Sequence, residues 1–106
     1  HPDMVLGMTR AMYRAQKWIR DHDGEDLAGV VGRYLPDVPP RLLASCFNEY
    51  KSNQVWSTSP MVQREGLERK REAMLSCGAI GKGLSYEDYV DPRFAERAVA
   101  EDPQPI

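Results

Sequence analysis

From Met4 to Ile19 the apolar residues fall at steps of three and four: Met4, Val5, Met8, Ala11, Met12, Ala15, Trp18 and Ile19. An α-helix turns every ~3.6 residues, so this spacing gathers them into one stripe, whereas a strand would scatter them over both faces. The punctuation agrees. Pro2 suits a first helical turn, Asp3 sits at the positive end of the helix dipole, and Gly24 follows the stop. Arg10, Arg14, Lys17 and Arg20 fall outside the stripe and read as a solvated face. The stripe reads as a surface packed into a core, with an adaptable Met-rich binding surface as the alternative.

The same spacing recurs downstream. Asp23 and Asp26 mark a capped second helix, with Leu27, Val30, Val31 and Tyr34 inward and Leu35-Pro36 as its end. Gly29 and Gly32 each weaken it by about 1 kcal/mol relative to alanine unless they permit close packing. Pro36 to Pro40 is a stiff connector into a third helix, which puts Leu42, Leu43, Cys46, Phe47 and Tyr50 on one face. A long irregular stretch, Lys51 to Pro60, carries Trp56. A fourth helix is expected from Gln63 to Cys77, with Gly66, Leu67, Ala73, Met74 and Cys77 inward and the Lys70 stem covering the gap. Gly78 stops it, Ser85 with Asp88 opens a short turn, and Asp91-Pro92 opens a last helix holding Phe94, Ala95 and Ala98. The tail from Glu101 is expected to fray. No segment alternates like a strand, so the fold class is all-α with about five helices.

Composition sets bounds on function. A chain of 106 residues is one domain or part of one, and can bury about 65% of the surface its unfolded form exposes. A mean hydropathy of -0.57 fits a chain that works in water. A net charge of -2 lacks the basic face that nucleic-acid binding needs, so no nucleic-acid partner is expected. No apolar run approaches the ~20 residues that span a bilayer.

No catalytic, cofactor-binding or metal-binding constellation emerges. His1 and His22 have no second ligand at metal spacing, and Asp23 reads as a helix cap. Ser, Cys and His all occur, but no motif joins them into a nucleophile–base pair. Gly78-Ala79-Ile80-Gly81-Lys82-Gly83 has the look of a phosphate cradle, yet a helix precedes it and Lys82 is followed by glycine, so it reads as a connector. The acid pairs Glu25/Asp26 and Glu87/Asp88 sit at helix starts, where the dipole accounts for them. Trp56 reads as a pin holding its loop to the core, with ligand stacking as the alternative. Cys46 and Cys77 read as two inward-facing free thiols, with a disulfide as the minority alternative, attractive only in an oxidising compartment.

The order of phrases carries more than any one of them. His1-Pro2-Asp3-Met4-Val5 leads into Thr9-Arg10-Ala11-Met12-Tyr13-Arg14-Ala15-Gln16-Lys17-Trp18-Ile19. Later come Arg64-Glu65-Gly66-Leu67-Glu68-Arg69, Gly78 with Ile80, and Tyr86-Glu87-Asp88-Tyr89-Val90-Asp91 before Arg93-Phe94. From about Pro2 to Ala98 this resembles the C-terminal part of periplasmic solute-binding proteins of the nitrate/sulfonate/taurine type. That superfamily includes the thiamine-pyrimidine-precursor binding proteins.

The resemblance implies a helical fragment, residues 1–100 with a tail at 101–106, of a two-lobed α/β periplasmic-binding-protein fold. It implies the periplasm, an ABC permease as partner, and a small solute bound only by the intact protein. No ligand-binding residue carries over, because the portion that builds the cleft is not in this sequence. The family's pyrimidine synthases are enzymes, but their cysteine-rich motif is absent here, so no enzyme activity is expected. The rivals are a free-standing helical interaction module and a fragment of a pyrimidine-synthase-type enzyme, which needs catalytic residues upstream. If a larger fold normally covers the first helix, its long stripe is in surplus, and the isolated chain should self-associate through it.

Overall fold

Asp23 sets the pattern for how the chain turns its corners. Its carboxylate accepts from the Asp26 amide at 2.9 Å, and the Asp23 amide donates back to Asp26 at 3.4 Å, closing the expected capping box. The computed structural model describes all 106 residues and contains six α-helices and no strand. These are α1 (Pro2–Asp21), α2 (Gly24–Val31), α3 (Pro40–Ser52), α4 (Arg64–Ser76), α5 (Tyr86–Tyr89) and α6 (Arg93–Glu101). A 3-10 turn, Gly32–Tyr34, ends α2 earlier than its apolar pattern suggests. Tyr34, in that turn, and Val30, within α2, are both exposed rather than inward. No helix is long and apolar enough to cross a membrane.

The true core lies between α2 and α3. Leu27 and Ala28 meet Leu43, Ala44 and Phe47, with Trp18, Ile19, Val31, Val38 and Trp56 packed on the rim. Trp56 does pin its loop, standing 5.6 Å from the Phe47 ring and edge-on to Tyr50 at 5.7 Å. The α3 helix is rolled toward Ala44, so Leu42 and Tyr50, expected inward, are exposed. That roll follows from Gly24. A Cβ there would collide with the Ala44 carbonyl oxygen and stand 2.7 Å from Asn48 Cγ, so only glycine lets α2 start so close to α3. Asn48 uses the closeness, accepting from the Gly24 amide at 2.7 Å. Lys51 donates to the carbonyls of Arg20 and His22 and so closes the end of α1.

Two other units surround this core. The α6 helix packs on α1, burying Ala95 and Ala98. The α4 and α5 helices pack on each other, and no residue of α4 is buried. Cys77, expected on its inward face, is exposed at the end of α4, while Cys46 is half-buried; the two are unbridged. Gly78 stops α4 as expected, at φ 73°, a left-handed turn that returns the Ala79 amide to the Met74 carbonyl at 2.9 Å.

The arrangement is open. Only 10 of 106 residues are buried, and the chain exposes 7919 Å². A self-contained protein of this mass exposes about 6,000 Å², so roughly a third more surface is bare than closure would leave. The radius of gyration, 16.5 Å, likewise exceeds the ~13 Å of a compact chain of this length.

The two glycines of α2 should respond oppositely to alanine. Gly24→Ala forces α3 away and should cost about 2 kcal/mol. Gly29 faces open space, so Gly29→Ala should gain about 0.5 to 1 kcal/mol. Urea unfolding midpoints measure both; equal effects would contradict the α2–α3 packing described.

Candidate functional site

The first helix is turned over relative to its sequence pattern. Leu6 and Lys17 are its buried residues, and the side carrying them, Arg10 and Tyr13 packs toward α6. The basic face expected to be solvated is thus partly used. Arg10 holds Glu101 at 2.7 Å, Arg14 donates to the Gln104 carbonyl at 2.9 Å, and Lys17 donates to Asp102 and to the Pro103 carbonyl. The tail from Glu101 is therefore strapped along α1 rather than frayed. Sequence spacing could not reveal this, because each partner lies more than 80 residues away.

The apolar stripe points elsewhere. Met4, Met8 and Met12 are 62%, 63% and 60% exposed, and Val5 and Ala11 are exposed beside them. The expected core face is a bare surface over the N-terminal half of α1. Toward its C-terminal half the stripe meets the core through Trp18 and Ile19. There Ala15, Trp18 and Ile19 of α1 and Leu27, Val30 and Val31 of α2 wall an apolar groove of about 320 Å³. Ile106, at the end of the strap, lies on its rim.

A second cleft, of about 220 Å³, lies between α1, the end of α3 and the Trp56 loop. It holds Arg20 and Lys51, but Arg20 is committed to Asp21 at 2.9 Å and Lys51 to main-chain carbonyls. Ser57 Oγ donates to the Ser59 carbonyl at 2.7 Å, and Gln16 Oε1 is a buried acceptor without a partner. No titratable base faces a nucleophile there, so the cleft assembles no catalytic pair.

The remaining sequence candidates are structural. His22 stacks on Trp18 at 3.9 Å, with Nδ1 2.7 Å from the Trp18 carbonyl oxygen. No three His, Cys, Asp or Glu side chains converge. The Gly78–Gly83 stretch lies against α4, where a Cβ on Gly83 would stand 2.7 Å from Arg71 Cδ, and it leads into only the four-residue α5. Arg64 binds Glu87 and lies 4.3 Å from the Tyr86 ring, tying α4 to α5. Asp88 accepts from the Ser85 amide and hydroxyl, which lowers its pKa and completes the second capping box.

Comparison with known proteins finds one informative likeness. The chain is 24% identical over 99 residues to a Bacillus subtilis (strain 168) protein named "Putative binding protein YtlA". The match covers 93% of this chain and 30% of that protein, so the chain spans under a third of its relative's length. The relative is named as a binding protein, not as an enzyme. No family model matches. No solved structure matches.

The strap should be sensitive to acid. Arg10, with Arg97 beside it, holds Glu101 at about 2 against an ordinary 4.5, and Lys17 lowers Asp102 in the same direction. A depressed carboxylate contributes its stabilisation above its unfolded pKa and loses it as pH falls toward the folded one. The strap should hold at neutral pH and release between pH 4.5 and about 2. The Ile106 methyl resonances, followed by NMR, should move over that window. In Arg10→Ala they should sit part of the way toward the released position at pH 7, because Lys17 and Arg14 still hold Asp102 to Gln104; an unchanged profile would refute the strap.

Proposed function

We propose that this chain is a non-catalytic helical segment of a solute-binding protein that serves an ABC importer of the periplasm. In this reading it forms the C-terminal part of that protein and braces one lobe of the ligand-binding fold. The observation that carries it is the match along nearly the whole chain to a protein named as a binding protein, of which it spans 30%. The order of sequence phrases supports the finer assignment to the nitrate/sulfonate/taurine type. The bare surface supports the bracing role: with 7919 Å² exposed, the segment bares roughly a third more surface than a closed chain of its mass, Met4, Met8 and Met12 among it.

Solute capture in this reading belongs to the intact protein, where two lobes close on a small molecule. The segment itself supplies no sheet and no convergent polar cluster. A free-standing interaction module is the second reading, and the exposed Met4–Met8–Met12 face favours it.

Calorimetry separates the two. Nitrate, taurine, alkanesulfonates and pyrimidine precursors should give no saturable heat with the isolated chain. A longer polypeptide that contains it should bind one of them at micromolar concentration, and deleting residues 1–106 should weaken that binding at least ~10-fold. Saturable binding by the isolated chain, or a deletion without effect, would overturn the assignment.

A further inference from the structure

The bare row and the apolar groove occupy opposite ends of one stripe on one helix. Met4, Val5 and Met8 project from the N-terminal half with nothing against them. The groove walled by Ala15, Trp18, Ile19 and Val30 opens beside the C-terminal half with nothing in it but the Ile106 rim. A surface that carries a projecting row and a matching recess, displaced along the same axis, is complementary to itself when one copy is reversed.

We propose that a second copy of this chain covers this surface, the two α1 helices running antiparallel about a two-fold axis near Ala11 and Met12. Position for position along the axes, that centre sets Met4 against Ile19, Val5 against Trp18 and Met8 against Ala15, twice. Each copy's projecting side chains enter the other's groove. Parallel pairing would set row on row and groove on groove and fill neither. Ala11, exposed and small, lies at the crossing and lets the backbones approach.

Charge and area both allow the pairing. The stripe from Met4 to Ile19 contains no ionisable side chain, so no ion is buried by closing it. The basic residues Arg10 and Lys17 lie on the side packed toward α6 and are already engaged with Glu101 and Asp102. Methionine side chains adapt to an irregular recess better than branched ones. A stable dimer covers about 800 Å² per partner. The chain as a whole exposes on the order of 1,900 Å² beyond a closed chain of its mass, spread over α1, α4 and α5, and on this face Met4, Val5, Met8 and Met12, each at least 44% exposed, contribute to it. The pairing needs only this chain's own surfaces; in the transport reading the rest of the binding protein competes for the same face.

Sedimentation of the 106-residue chain tests it. At about 50 μM the wild type should run as a dimer. Met8→Glu with Met12→Glu should raise the dimer dissociation constant at least ~100-fold while far-UV circular dichroism stays unchanged. Leu75→Glu, on α4, should leave the dimer intact. Orientation is read by cross-linking in a Cys46→Ala, Cys77→Ser background. Met8→Cys chains mixed with Ala15→Cys chains should form the mixed disulfide faster than Met8→Cys chains bridge with one another. A wild-type monomer at that concentration, a dimer indifferent to the paired Glu substitutions, or faster Met8→Cys self-bridging would each overturn the proposal.

Discussion

The roll of α1 about its own axis is the constraint on which the rest of this molecule depends. Leu6 and Lys17 are buried on the side that meets α6, and the small Ala95 and Ala98 of α6 let the two helices come close. Lys17 is a buried ammonium, and a buried charge without partners would be costly. Asp102 and the Pro103 carbonyl supply those partners, and Arg10 and Arg14 extend the same grip along the strap. Once that side faces inward, helical geometry leaves the opposite side, Met4 through Met12, facing solvent.

The α2–α3 pair supplies the larger part of the hydrophobic burial, and it too depends on a close contact. Gly24 lets the start of α2 touch α3, and Asn48 and Lys51 then satisfy the amide and carbonyl groups that helix ends leave open. Trp56 extends this small core into the following loop. Beyond it, α4 and α5 hold mainly to each other, through contacts such as Arg64 with Glu87 and Arg71 with the Leu84 carbonyl. A chain organised as three loosely joined helical units has interfaces left to fill, as a segment of a larger binding protein would.

Helix ends were legible in the sequence because their causes are local. Asp23 with Asp26, Ser85 with Asp88, Gly78 and the prolines at the starts of α1 and α3 all act within one turn of the boundary they set. The all-α class followed from the same signals. The direction each helix faces was only partly legible: Leu27, Leu43, Phe47, Ala95 and Ala98 are buried as expected, but the final roll of α1, α3 and α4 is decided by distant residues. Nothing near Lys17 announces Asp102, and nothing near Leu42 or Tyr50 announces that Gly24 will draw α3 toward Ala44. Cys77 was misplaced for a related reason: α4 has the apolar spacing of a packed helix, but none of its residues is buried, and the one helix packed on it is the short α5. The bare face of α1 was foreshadowed only as a surplus of stripe over available cover.

In the pairing proposed above a second copy covers the exposed Met4–Met8–Met12 face, and methionine oxidation reads that most directly. Dilute chain, below the concentration at which copies meet, should be exposed briefly to hydrogen peroxide and mapped by mass spectrometry. Met4, Met8 and Met12 should oxidise several-fold faster than the half-buried Met61 and Met74. Met8 and Met12 should become protected at high chain concentration. Slow oxidation of Met8 and Met12 in the dilute chain would place the stripe inside the fold and contradict the account.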